Sequence, residues 1–259
     1  MAIIFPGRLP PGALVQGGSP KTAMAGEFTE IPAPIWLTAD ISSFEFSETA
    51  PGRIIAWQSS GSVKFKAEAV AANELGTLFL PAPGRLQFTT GTNCGIILPD
   101  AIAEAENVTI GLIFHADETE DPRTLMSLQS RGDDNYLFLS GDDGNLRLTQ
   151  KTGDEELVTP LPNAGTGATL LLCAVERDRV YMGVNGGTAV TTATASTPSG
   201  MADLFLGCRN ARSGLHNKLG RFTLTDVMIW PGKNLLAGPN DPALNAAKAL
   251  WASRSADGI

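Results

Sequence analysis

Short apolar runs of roughly four to eight residues, broken by Gly, Pro, Asn and Asp, recur from Ile35 to Trp230 at the spacing of a β-sandwich or barrel. Arg53–Trp57, Thr77–Leu80, Arg85–Phe88 and Val108–Phe114 are such runs, and Tyr136–Leu139, Asn145–Leu148, Val180–Val184 and Phe222–Trp230 continue the series. Polarity alternates within several of them. Leu146 and Leu148 fall on one side of a strand and Arg147 and Thr149 on the other, as in an antiparallel sheet with one wet face. Gly141-Asp142-Asp143-Gly144-Asn145 and Asn185-Gly186-Gly187 supply residues that tolerate positive φ, the chemistry of tight hairpins. About a dozen such strands, with no helix-length periodic segment among them, predict two stacked antiparallel sheets. Pro99–Glu106 is read as holding one helical turn.

The two ends have a different texture. Residues 1–34 are rich in Pro and Gly, which excludes a helix or a central strand and predicts an extended arm. The arm carries Ile3, Ile4, Phe5, Leu9, Leu14 and Val15, apolar anchors suited to assembly on another subunit or on the chain's own domain. Residues 35–236 form the sandwich and 237–259 a tail. In the tail Asp241 is placed to cap a helix with Pro242 at its first position, and Leu244, Ala247, Lys248 and Trp251 follow at helical spacing. One helix of about three turns is expected there.

Composition narrows the function classes. The chain has 259 residues, 43% of them hydrophobic, and a formal net charge of -8. Its 19 Lys and Arg residues do not cluster, which argues against nucleic acid and anionic lipid as partners. The two histidines, His115 and His216, stand far apart in sequence, and Cys94, Cys173 and Cys208 form no metal or disulfide pattern. No apolar run reaches the ~20 residues of a membrane span, and the start lacks a basic, then apolar secretion signal. Synthesis in a reducing cytoplasm without a signal peptide is therefore expected.

Trp36-Leu37, Trp57 with Gly61, Leu86 and Phe88, Asn135-Tyr136, Val184-Asn185-Gly186, Asp203–Gly207, Leu219–Phe222 and Asp226–Trp230 follow one another in a recognisable order. In these features the chain resembles the concanavalin A-like lectin/glucanase superfamily of laminin-G-like type, particularly the versions carried by structural proteins of tailed phages and gene-transfer particles. The resemblance implies an all-β antiparallel jelly roll of roughly 200 residues. It also implies a surface component of a virion-like particle, a head spike or tail fibre, active in host attachment. The arm would hold it to particle structural proteins or in a homo-oligomer, and the lectin-like domain would bind host cell-surface polysaccharide on the particle's exterior.

Glucanases of this superfamily carry E-x-D-x-x-E on one strand, where alternation aims paired carboxylates into one groove. The chain lacks that motif, and Glu155-Glu156 are adjacent and face opposite ways on a strand. A non-enzymatic protein without catalytic residues or cofactor is the expectation. A purely architectural decoration subunit and a polysaccharide-degrading enzyme with a cryptic site are the alternatives. Asp133-Asp134 and Asp142-Asp143 are oxygen-rich loops that suit Ca²⁺, as lectin-like domains often hold, but they flank the two ends of one strand and would not share an ion. Sugar sites combine an aromatic platform with polar loop residues. Two segments offer this: Arg131, Asp133, Asp134, Asn135 and Tyr136 in one, Arg209, Asn210, Arg212, His216 and Asn217 in the other.

Overall fold

The computed structural model describes residues 35–70, 77–80, 84–91, 95–132, 135–151, 156–162, 167–193, 197–211 and 218–256. The arm with Ile3, Ile4, Phe5, Leu9, Leu14 and Val15 lies outside the described residues, as does Cys94. Alternating polarity becomes seventeen strands among the described residues, all paired antiparallel and numbered here in chain order.

The first sheet runs, in spatial order, β2 (Phe44–Phe46), β3 (Arg53–Gln58), β4 (Lys66–Ala69), β7 (Ile96–Ile102), β16 (Ala202–Leu206), β9 (Arg123–Ser130), β10 (Tyr136–Asp142), β11 (Asn145–Gln150) and β12 (Leu157–Pro160). The second runs β5 (Thr77–Leu80), β6 (Arg85–Phe88), β17 (Phe222–Pro231), β8 (Asn107–Ala116), β13 (Thr169–Glu176), β14 (Arg179–Val184) and β15 (Val190–Ala193). Strand β1 (Ile35–Thr38) lies beside β17, and a short pairing of β3 with β5 joins the two sheets. The result is an antiparallel jelly-roll sandwich with one C-terminal helix, as the alternation and the resemblance predict.

One buried cluster fills the space between the sheets. Leu112, Phe114, Leu171, Cys173, Leu224 and Val227 come from the second sheet, and Leu98, Met126, Leu128, Leu137, Leu139 and Leu148 from the first. Trp57 is fully buried and donates its ring N–H to the Thr38 carbonyl at 2.9 Å, so its one polar atom is satisfied. Cys173 and Cys208 are buried, and burial pushes the Cys173 thiol up to about 12, which makes it an inert hydrophobe.

The outer face of the second sheet is covered by α1 (Pro242–Ala256). Asp241 accepts the Ala243 N–H at 2.8 Å and caps the helix ahead of Pro242, as its sequence predicts. The helix is 15 residues long, about four turns where three were expected, and Arg254 in its last turn is held by Asp226. Ala243, Leu244, Ala247 and Leu250 bury against Trp36, Ile113, Leu170, Leu172, Met228 and Trp230. Trp251 donates its ring N–H to the Ala168 carbonyl at 2.6 Å.

A bulge in β17 sets the polarity of this face. Leu224 pairs with Phe114 and Asp226 with Ile113, so Thr225 is the extra residue. Strict alternation from Leu224 would aim Asp226 into the apolar interior. The bulge turns it outward under the helix instead, where Arg254 donates from Nε at 2.9 Å and from a terminal nitrogen at 3.1 Å, and Trp36 from its ring N–H at 3.1 Å.

The helical turn expected over Pro99–Glu106 is not formed. Pro99 belongs to β7, whose pairing with β4 covers only Ile96 and Ile97, so the missing N–H of Pro99 costs no ladder bond on that side. Asp100 adopts a φ of 54° beside it, and its N–H is taken by the Asp203 carboxylate at 2.9 Å. Among the described residues no helix is long and apolar enough to cross a membrane.

Candidate functional site

The outer face of the first sheet, opposite the helix, carries the candidate site. Pairing places Tyr136 against Gln129 and Phe138 against Ser127, so Tyr136 and Phe138 stand on the outward side of β10 while Leu137 and Leu139 point into the core. Arg147 and Thr149 of β11 continue the same outward rows, opposite Ser140 and Phe138.

The chain leaves β16 at Gly207, and residues described on both sides of 212–217 meet this face. A side chain at Gly207 would meet the Phe88 ring at 2.0 Å, and its φ is 66°, so only glycine makes the turn. Cys208 and Leu219 bury beside Phe205 and Val70. Arg209 lays its guanidinium over the Phe138 ring, 4.0 Å from the centroid. The Arg209 carbonyl accepts the Gln129 amide at 2.7 Å, and the Lys218 carbonyl accepts the Thr124 hydroxyl at 2.7 Å. Tyr136, Arg209 and the Lys218 carbonyl, far apart in sequence, thus meet on β9 and β10.

The predicted sugar-contacting residues divide into three groups. Tyr136 and Arg209 stand on this face, with Asn210 half-buried beside them in sequence. Arg131 and Asn135 have structural roles. Arg131 is committed to Asp203 at 2.9 Å and Asp100 at 2.8 Å, and Asn135 is buried with its side-chain oxygen accepting the Tyr136 N–H at 2.9 Å. Asp133, Asp134, Arg212, His216 and Asn217 lie outside the described residues. Phe138 and Gln129 were not anticipated.

Asp142 and Asp143 lie at the far end of β10, with Asp121. One carboxylate oxygen from each comes within 4.8 Å of the others. They stand beside an open cleft of about 300 Å³ lined by Asp117, Glu118, Glu120 and Asp121. Oxygen donors in this number suit a hard cation such as Ca²⁺. The signal in the sequence was the Asp142-Asp143 hairpin; Asp121 arrives through the loop before β9 and has no local signature.

His115 belongs to neither place. It lies on the outer face of the second sheet opposite Thr223, half-buried, with Nε2 shielded from solvent and without a hydrogen-bond partner among the described residues. Burial first, then the nearby Arg85 charge, lowers its pKa from 6.5 to about 4, against a small opposing effect of the Gly167 backbone. Between those two pH values the unfolded chain binds a proton that the folded chain refuses. Stability therefore rises with pH across that window, is fully present above 6.5, and is lost as pH falls toward 4. Urea unfolding at pH 4.5 and 7 should differ by about 2 kcal/mol more in the parent than in His115→Gln, after discounting for partial exposure. Equal pH dependence in both would remove His115 as the cause.

With this geometry in view, comparison with solved structures places the fold. The chain is similar to Trypanosoma rangeli sialidase in complex with sialic acid, with a TM-score of 0.55 and 15% identity over 90% of this chain and 37% of that one. The same sialidase bound to the inhibitor DANA gives a TM-score of 0.55 at 12% identity over 88% of this chain and 36% of that one. The botulinum neurotoxin type G receptor-binding domain gives a TM-score of 0.55 at 11% identity over 85% of this chain and 51% of that one. The chain thus spans 37% of the length of the first sialidase and 51% of the toxin domain. No protein-family model and no curated protein sequence matches it. At these identities the likeness establishes the β-sandwich fold and leaves function to the site. It also corrects the expectation of a non-enzymatic protein: the same fold occurs within sialidases, so lacking a glucanase motif is no ground for excluding catalysis.

Proposed function

We propose that the chain is a carbohydrate-binding module whose site is the outer face of the first sheet, and that its target is polysaccharide on a host cell surface. The observation that carries this reading is the convergence of Tyr136, Phe138, Gln129 and Arg209 on the outer face of β9 and β10. A pyranose has an apolar face and a rim of hydroxyls, and a half-exposed Tyr beside amide and guanidinium donors matches both. The placement on a phage-like particle, with residues 1–34 as the anchoring arm, is supported by the sequence motifs.

A glycan array probed with the whole chain, followed by titration of the best oligosaccharide, tests the site. Tyr136→Ala should weaken binding by about tenfold, the loss of one stacked ring, while leaving the thermal midpoint close to that of the parent. Tight binding to particle proteins with no glycan retained would favour the architectural reading instead.

A further inference from the structure

Charge on the candidate face is unevenly settled. Arg147 is paired with Glu156 at 2.8 Å, and Arg131 with Asp203 and Asp100. Each of these two arginines is thus engaged by a carboxylate. Arg209 and Lys218 form no ion pair among the described residues, and Arg209 keeps Nε shielded from solvent without a hydrogen-bond acceptor. Arg209, over Phe138, is thus a cation on this face that no carboxylate engages among the described residues.

We infer that this face selects sugars bearing a carboxylate, with Arg209 as the residue that reads the acid; the inference rests on the carbohydrate-binding reading above. Stacking on Phe138 holds the guanidinium plane fixed, so its N–H groups lie along an edge suited to a planar carboxylate. Tyr136 stands two residues from Phe138 on the same side of β10, about 7 Å along the strand, which is roughly one pyranose width. A sugar ring against Tyr136 therefore brings a ring carboxylate toward Arg209.

The probes are a hexuronate oligosaccharide, the same oligosaccharide with its carboxyl groups reduced to alcohols, and a sulfated oligosaccharide of equal length, each titrated against the whole chain. The hexuronate should bind at least tenfold more tightly than its reduced form, and its affinity should fall as salt rises. Arg209→Gln should bring that tenfold preference to about one, whatever affinity it leaves for the reduced form, and Arg209→Lys should restore only part of the preference because ammonium lacks the fork. Sulfated sugar binding as tightly as hexuronate would overturn carboxylate selection, since a guanidinium edge that reads planarity should discriminate. Equal binding of hexuronate and reduced form would overturn the inference and leave the carbohydrate reading intact. Failure of all three to bind would overturn both.

Discussion

Asp226→Ala should lower the stability of the folded chain by about 3–5 kcal/mol, the cost of breaking a buried ion pair by removing one partner. Asp226 is fully buried, and Arg254, which meets it, is largely covered. Its loss would take from the Arg254 guanidinium, which also meets the Thr38 hydroxyl at 2.8 Å, its bidentate carboxylate, and from the Trp36 ring N–H this acceptor. Urea denaturation of parent, Asp226→Ala, Arg254→Met and the double variant measures this directly. The double variant should be more stable than Asp226→Ala, because two missing charges are less costly than one stranded charge. A loss under 1 kcal/mol for Asp226→Ala would mean that water reaches the pair.

Removing residues 239–259 should produce an insoluble or dye-binding chain. The helix buries Trp36, Ile113, Leu170, Leu172, Met228 and Trp230 on the outer face of the second sheet. Exposing even half of that apolar surface costs on the order of 5 kcal/mol, comparable with the whole stability of many domains. The truncation also strands Asp226. Soluble yield, near-ultraviolet circular dichroism and binding of a hydrophobic dye report the outcome. A truncated chain that melts within a few degrees of the parent would show that the sheet face needs no cover.

The strands were legible because a half-buried sheet writes its geometry into alternation, as in Asn145–Gln150, where Leu146 and Leu148 are buried and Arg147 and Thr149 are half-exposed. Hairpins were legible from Asn185-Gly186 and Asp143-Gly144, all four of which adopt positive φ. Alternation failed where both faces are covered. Tyr136-Leu137-Phe138-Leu139 is apolar throughout, so the outward role of Phe138 was hidden until Arg209 was seen to cover it. It failed again at bulges, which shift the phase of β17 by one residue at Thr225 with no residue type to announce it. Arg131 and Arg209 look alike in sequence. What separates them is whether an acid lies within reach, and Asp203 reaches Arg131 through strand order alone.

The clasp between Thr38 and Arg254 has a mechanical consequence. Force or tethering applied at either end of the folded unit enters at a single pole and runs first into the covered side of the sandwich. A carrier gripping the unit there would turn the opposite broad surface, with Tyr136 and Arg209, outward like the palm of a hand held by the wrist.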